Sequence, residues 1–322
     1  MLEDRFGRRF YYLRLSVTDI CNFRCSYCLP EGYSATDEAP HLTSEEAARV
    51  IRAFAALGTE KVRLTGGEPS LRADLPEIIA GAKSTPGIRR VAVTSNGYKL
   101  PKVIDSWQDA GLDQLNISID SLQRDEFARI TGHDCLPRVL AGVDRALVLG
   151  IATKINAVLL CDGAERRLRD FLCWLRDKPV TLRFIELMRT GDNRAFFASN
   201  HLSGAAIEGR LIADGWHLLP RARDAGPARE YGHPDYRGRI GLITPYSKDF
   251  CQSCNRLRVS AQGRLHLCLF AEQGLDLREE IRRGDIAQLA EKIRALVLGK
   301  ASSHYLQQER VGATRNLAML GG

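Results

Sequence analysis

A chain of 322 residues is long enough for one large α/β barrel, or a barrel with a smaller appended unit, and it can bury a full core without disulfide staples. Its start, MLEDRFGRRF, is charged throughout, and no later apolar run approaches the roughly 18 residues that cross a bilayer, so no membrane contact and a cytoplasmic location are expected. The formal charge of +7 fits a polyanionic partner, nucleic acid or phosphorylated small molecule, as well as a merely solvated basic surface.

Short β-branched runs alternate with helical segments as far as about residue 188, the rhythm of repeated βα units on a parallel sheet. Strands are predicted at 11–17, 61–65, 90–94, 114–119, 154–160 and 180–187. The segment after Thr43 shows how the intervening helices are made: Thr43 and Glu46 form a capping box, apolar residues recur at Val50, Phe54 and Leu57, and Gly58 stops the helix. From about 200 to 238 the Gly- and Pro-containing sequence predicts an irregular connection into a more β-rich part. The chain therefore divides into a barrel over 1–199 and a C-terminal region over 200–322.

Period two along the strands places polar residues on one face. Arg14 and Ser16, Arg63 and Thr65, then Asn116, Ser118 and Asp120, then Lys154 and Asn156, and finally Glu186 and Met188 are the candidates for a lumen. An eight-stranded barrel fills its interior with branched apolar side chains. Six strands with a largely cationic lining predict instead an open interior that takes an anionic ligand, because an unpaired buried cation costs several kcal/mol. Solvent-facing alternation on an antiparallel sheet is the competing reading.

Nine cysteines, three near each end with Cys135, Cys161 and Cys173 between them, do not form a secreted disulfide framework. In a reducing compartment they point to metal. Cys21, Cys25 and Cys28 lie on one loop as Cys-x3-Cys-x2-Cys, and three thiolates can hold three irons of a 4Fe–4S cube while the fourth iron stays open to substrate. This arrangement resembles the radical S-adenosylmethionine (SAM) superfamily. Thr65-Gly66-Gly67-Glu68-Pro69 after the second strand sits where that superfamily has a glycine-rich turn against SAM. Zinc is the alternative, but no fourth ligand lies nearby in sequence.

Cys251, Cys254 and Cys268 repeat the logic as Cys-x2-Cys-x13-Cys. Here spacing leaves two readings open, a second cube or a Cys3His zinc site completed by His266. Between these ligands, Arg256 and Arg258 project to one face of an extended segment, a fork suited to phosphates or else a solvated basic edge. Cys173 in FLCWL is expected to be a buried helix residue.

Together LRLSVTDICNFRCSYC, LTGGEPSLR, VTSNG, NISIDSL, RFIELM, DFCQSCNRLRVS, GRLHLCLF and the terminal Gly321-Gly322 resemble the GTP 3′,8-cyclases of molybdenum cofactor biosynthesis over nearly the whole chain. The resemblance implies a partial (βα)6 barrel of the TIM type, whose open side is covered by a C-terminal β-containing region with a second 4Fe–4S cluster. It implies SAM and two 4Fe–4S clusters as cofactors, with Cys21, Cys25 and Cys28 holding the first cluster and Cys251, Cys254 and Cys268 the second. Tyr27, Gly67, Ser118 and Met188 match SAM contacts, and Arg14, Arg63, Thr94, Lys154, Arg256, Leu257 and Arg258 match GTP contacts. Arg256, Arg258, Gly321 and Gly322 are the implied catalytic positions, the double glycine reaching where side chains would not fit. The implied reaction takes hydrogen from C3′ of GTP, joins C3′ to C8, and returns an electron from the second cluster. A flavodoxin-like reductant, a downstream cyclic pyranopterin monophosphate synthase and a homodimer follow from the resemblance. Nucleic acid is not an expected partner, since no basic stripe is interleaved with aromatics and aromatic content is 7%.

Overall fold

The computed structural model describes every residue except 35–38, 223–224, 309, 313, 315–316 and 322. Six parallel strands, β1 (Tyr12–Thr18), β2 (Lys61–Gly66), β3 (Arg90–Ser95), β4 (Gln114–Ser118), β5 (Ala152–Leu159) and β6 (Thr181–Glu186), lie side by side in chain order. Their apolar positions, Leu13, Leu15 and Val17 on β1 or Leu115 and Ile117 on β4, are buried under the helices, as a sheet with covered faces requires. Those helices are α1 (Ser44–Ala56), α2 (Leu75–Lys83), α3 (Leu100–Asp109), α4 (Arg124–Thr131), α5 (Leu136–Val148) and α6 (Ala164–Leu175). The capping box of α1 is present: Thr43 Oγ1 accepts from the Glu46 N–H at 3.1 Å, and the Glu46 carboxylate accepts from the Thr43 N–H at 3.0 Å.

The C-terminal part does not stack on the barrel as a separate layer; it lengthens the sheet at both edges. After α7 (Arg194–Asn200) and α8 (Gly204–Ala213) come β7 (His217–Leu218), β8 (Arg229–Gly232) and β9 (Arg239–Ile243), and β9 pairs parallel with β6. Next come β10 (Arg256–Val259), β11 (Arg264–His266) and β12 (Leu275–Asp276), and β10 pairs parallel with β1. Eight parallel strands thus form the wall, antiparallel strands finish each edge, and the sheet is not closed. Two further helices, α9 (Arg278–Arg283) and α10 (Ile286–Val297), pack with α1 on the outside. The stretch expected to be irregular from about 200 holds α8, started by Ser203, whose hydroxyl accepts from the Ala205 N–H. No helix among the described residues is long and apolar enough to cross a membrane.

Candidate active site

The lumen is cationic by construction. Across β10, β1 and β2 the register aligns Arg258 with Arg14 and Arg14 with Arg63, and one step earlier Arg256 with Tyr12 and Tyr12 with Lys61. Tyr12 separates some of these charges, with Lys61 and Arg63 each over its ring at 5.2 and 5.3 Å. Arg14, Arg63, Arg256 and Arg258 are all buried and line one cavity. Burial pulls the pKa of Arg14, Arg63 and Arg258 below the ordinary guanidinium value, and neighbouring arginines add to it. Among the described residues, Arg63 Nε, Arg258 Nε, and both Nε and Nη1 of Arg256 have no hydrogen-bond partner. Buried donors of this strength call for an anion with many acceptor oxygens.

The first cysteine loop leaves β1 at its C-terminal end. Arg24 N–H donates to Thr131 O (3.0 Å), Ser26 N–H to Ile130 O (2.9 Å), and the His133 ring, stacked on Phe23, meets Asn22 O at 2.6 Å, so the loop is laced to the end of α4. The glycine turn approaches it so closely that side chains are excluded. A Cβ on Gly66, whose φ is +135°, would lie 1.9 Å from Thr18 O, and one on Gly67 2.3 Å from Ile20 O. Glu68 holds the turn, its fully buried carboxylate accepting from the Ser70 N–H, the Ser95 hydroxyl and the Asn96 N–H. Cys21, Cys25, Cys28, Tyr27, Gly67, Thr94, Ser118 and Met188 share one cavity of about 890 Å³. Tyr27 donates to Asp120 at 3.0 Å, and burial raises the Asp120 carboxyl to about 6.

The second triad stands at the other end. β10 runs parallel to β1, so Cys251 and Cys254, which precede β10, lie opposite the loop that follows β1; Cys268, past antiparallel β11, comes to the same end. These three cysteines line the arginine cavity, and the two cavities share Asn156, Ile185 and Met188. Burial pushes the thiols of the first triad up, Cys21 to about 11 and Cys28 to about 12. Burial would raise Cys254 as well, but Arg256, Lys300 and Arg258 outweigh it and bring it down to about 6. Among the described residues no group of three or more His, Cys, Asp or Glu side chains is placed to hold a metal ion. The three thiols of each triad line one cavity, and a 4Fe–4S cube would take such a set on three of its irons. His266 does not line the cavity with Cys268.

The C-terminal tail enters the lumen from the side. Leu317 and Leu320 join Leu269, Phe270 and Leu306 in a small apolar cluster against which Cys28, Cys268 and Met188 all pack. Gly321 has φ +59°, its carbonyl accepts from Arg14 Nη2, and a Cβ there would lie 2.1 Å from Thr65 Oγ1. Gly322 lies outside the described residues.

Several expected positions fall elsewhere. Leu257 alternates with Arg256 and Arg258, so its side chain is fully buried in the core beneath the helices and faces away from the lumen. Lys154 keeps the lumen register but is engaged by the Glu230 carboxylate of β8, and it lines neither cavity. On β6 the lumen face is Arg183 and Ile185, whereas Glu186 turns outward to His201 Nε2 at 2.9 Å. Counting back from Met188 assumed an unbroken strand, but β6 ends at Glu186. Cys173 is exposed on α6, one position outside the buried stripe formed by Leu168, Phe171 and Leu175.

No spacing in the sequence singles out Arg183, which the structure places in the lumen. Its Nη2 donates to Asn116 Oδ1, its Nε has no partner, and burial, then Arg63, lowers its pKa to about 9. Opposite it on β9, a Cβ at Gly241 would lie 2.9 Å from Arg183 Cγ, so the glycine makes its room.

Residues 15–174 match the family model of the Radical SAM superfamily and residues 180–306 that of Molybdenum Cofactor Synthesis C. A GTP 3′,8-cyclase of Stenotrophomonas maltophilia is 55% identical, with 100% of this chain and 99% of that protein covered. One of Vibrio atlanticus is 52% identical over 99% and 97%. The chain belongs to the GTP 3′,8-cyclase family. In fold, this member of the family is similar to Streptococcus suis SuiB bound to S-adenosylmethionine, with TM-score 0.64, 10% identity, and 97% and 77% of the two chains covered. It is also similar to a radical SAM methyltransferase from Sphaerobacter thermophilus, with TM-score 0.50, 18% identity, and 62% of each chain covered. Both share the barrel, and neither bears on substrate at such identity. Within the GTP 3′,8-cyclase family, then, this chain arranges two cysteine triads at the two ends of one arginine-lined lumen.

Proposed function

We propose that the chain converts GTP to (8S)-3′,8-cyclo-7,8-dihydroguanosine 5′-triphosphate, the opening reaction of molybdenum cofactor synthesis, using SAM and two 4Fe–4S clusters. The observation that carries this reading is the set of buried, unpartnered arginine donors lying between two cysteine triads. Cys21, Cys25 and Cys28 are the ligands of the first cluster and Cys251, Cys254 and Cys268 those of the second. Held by the two triads, the clusters would supply the radical chemistry, the first with SAM for hydrogen removal at C3′ and the second for the electron that, with a proton, completes the cyclised product. Arg14, Arg63, Arg256 and Arg258 hold the triphosphate and thereby fix the ribose in reach of the first site, a positioning contribution that can account for much of a barrier. Thr94, whose buried Oγ1 has no partner among the described residues, stands as a further GTP contact, and Lys154 as one that would exchange Glu230 for the nucleotide. Tyr27, Gly67, Ser118 and Met188 hold SAM, and Gly321 fills its place beside Thr65 without a side chain.

A flavodoxin-like protein is the proposed reductant, cyclic pyranopterin monophosphate synthase the enzyme that takes the product, and a homodimer the assembly, in the cytoplasm. Anaerobic metal and sulfide analysis of the reconstituted protein, followed by incubation with GTP, SAM and dithionite, tests the proposal. About eight irons per chain, no zinc and a cyclised nucleotide are expected. About four irons with one zinc, or SAM cleavage indifferent to GTP, contradicts it.

A further inference from the structure

The second cysteine loop is fastened by a residue more than 240 positions away in the chain. The first residues fold into a tight hairpin, with Glu3 bridged to Arg9 and the Phe10 N–H donating to Leu2 O. Asp4 shapes its turn by accepting from the N–H groups of Phe6 and Arg8 at 2.9 and 3.0 Å. Its buried carboxylate also accepts from Arg8 Nε at 2.6 Å, which orients the rest of the guanidinium inward. Arg8 Nη1 then donates to Cys251 O at 3.3 Å and to Ser302 O at 2.9 Å, and Nη2 to Ala301 O at 2.5 Å.

The Cys251 carbonyl is also the acceptor for the Cys254 N–H at 3.2 Å, so Arg8 closes on the turn that sets the spacing of the two thiols. The segment it ties to that turn reaches the triad as well. Ser303 Oγ lies 3.8 Å from Cys251 Sγ, and Lys300, over the Phe10 ring at 5.6 Å, donates to Leu267 O beside Cys268. One planar fork satisfies three carbonyls from two loops, which a lysine ammonium on a flexible stem does not reproduce. Buried carbonyls need such donors. The loop of the first triad is held by other residues, among them 130–133, Glu68 and Asn96, and no described hydrogen bond links it to Arg8.

Resting on the two-cluster reading above, we infer that Arg8, oriented by Asp4 and lining the cavity beside Cys251, is a positioning residue for the second cysteine triad and not for the first. It fixes the geometry of Cys251 and Cys254 and thereby the occupancy and magnetic environment of the second cluster. The full-length protein and its Arg8→Lys, Arg8→Gln and Asp4→Asn variants, reconstituted anaerobically, provide the test. Iron per chain is measured together with the electron paramagnetic resonance spectrum of the reduced protein, with SAM or GTP added. Arg8→Gln should hold about four of about eight irons, keeping the SAM-responsive signal and losing the GTP-responsive one. Arg8→Lys and Asp4→Asn should keep the SAM response and show an altered GTP-responsive signal. An unchanged GTP-responsive signal in Arg8→Lys, or loss of both signals together in every variant, overturns the inference. Only about four irons in the unsubstituted protein would overturn the two-cluster reading itself, and the inference with it.

Discussion

A Cβ at position 321 would sit 2.1 Å from Thr65 Oγ1, in a backbone conformation that L side chains rarely adopt. Gly321→Ala should therefore displace the tail and suppress cyclisation more strongly than SAM cleavage, measured as nucleotide product against deoxyadenosine; equal loss of both contradicts a tail that acts in the lumen. Arg183→Met removes a buried donor that faces the same space and should weaken GTP binding by roughly tenfold to a hundredfold, the range for one hydrogen bond to a charged group. Equilibrium dialysis with GTP measures it, and unchanged affinity removes Arg183 from the site. At this scale the cysteines, Arg14, Arg63 and the glycine turn are legible in the sequence because their spacing carries the chemistry. Arg183 is not, since Met188 lies past the end of its strand and misleads a count by twos. Nor is the turning of Lys154 to Glu230, because Glu230 comes from a distant hairpin.

β10 shows how one short element divides its work. Its two arginines face the lumen and Leu257 between them packs in the core. Arg256→Ala and Arg258→Ala should lose product while keeping both clusters; a parallel fall in iron content contradicts their assignment to substrate. Leu257→Ala should act through stability instead, costing about 2–5 kcal/mol in denaturant unfolding. For α1, Thr43→Ala removes one half of a capping box and should cost about 1 kcal/mol. The six barrel strands are legible because short apolar runs alternate with helical segments at a regular spacing, and α1 carries its start signal in Thr43 and Glu46. The pairing of β9 with β6 and of β10 with β1 is not legible, because it is set by long-range contacts rather than by local pattern.

Over the whole molecule, the chain uses its last third to complete what the first two thirds leave open. β9 and β10 widen the wall, the cysteines before β10 and after β11 form a second triad opposite the first, and the tail packs against residues of both. The cationic charge concentrated between them favours a bound anion, which supports the proposed phosphorylated substrate with its reacting carbon towards the first triad. GTP deuterated at C3′, incubated anaerobically with the reconstituted protein, SAM and reductant, tests this most directly. Deuterium appearing in 5′-deoxyadenosine, in step with cyclised nucleotide, is the expected result. Deoxyadenosine free of deuterium, or formed equally without GTP, would contradict hydrogen transfer from the ribose and with it the placement of GTP between the two triads.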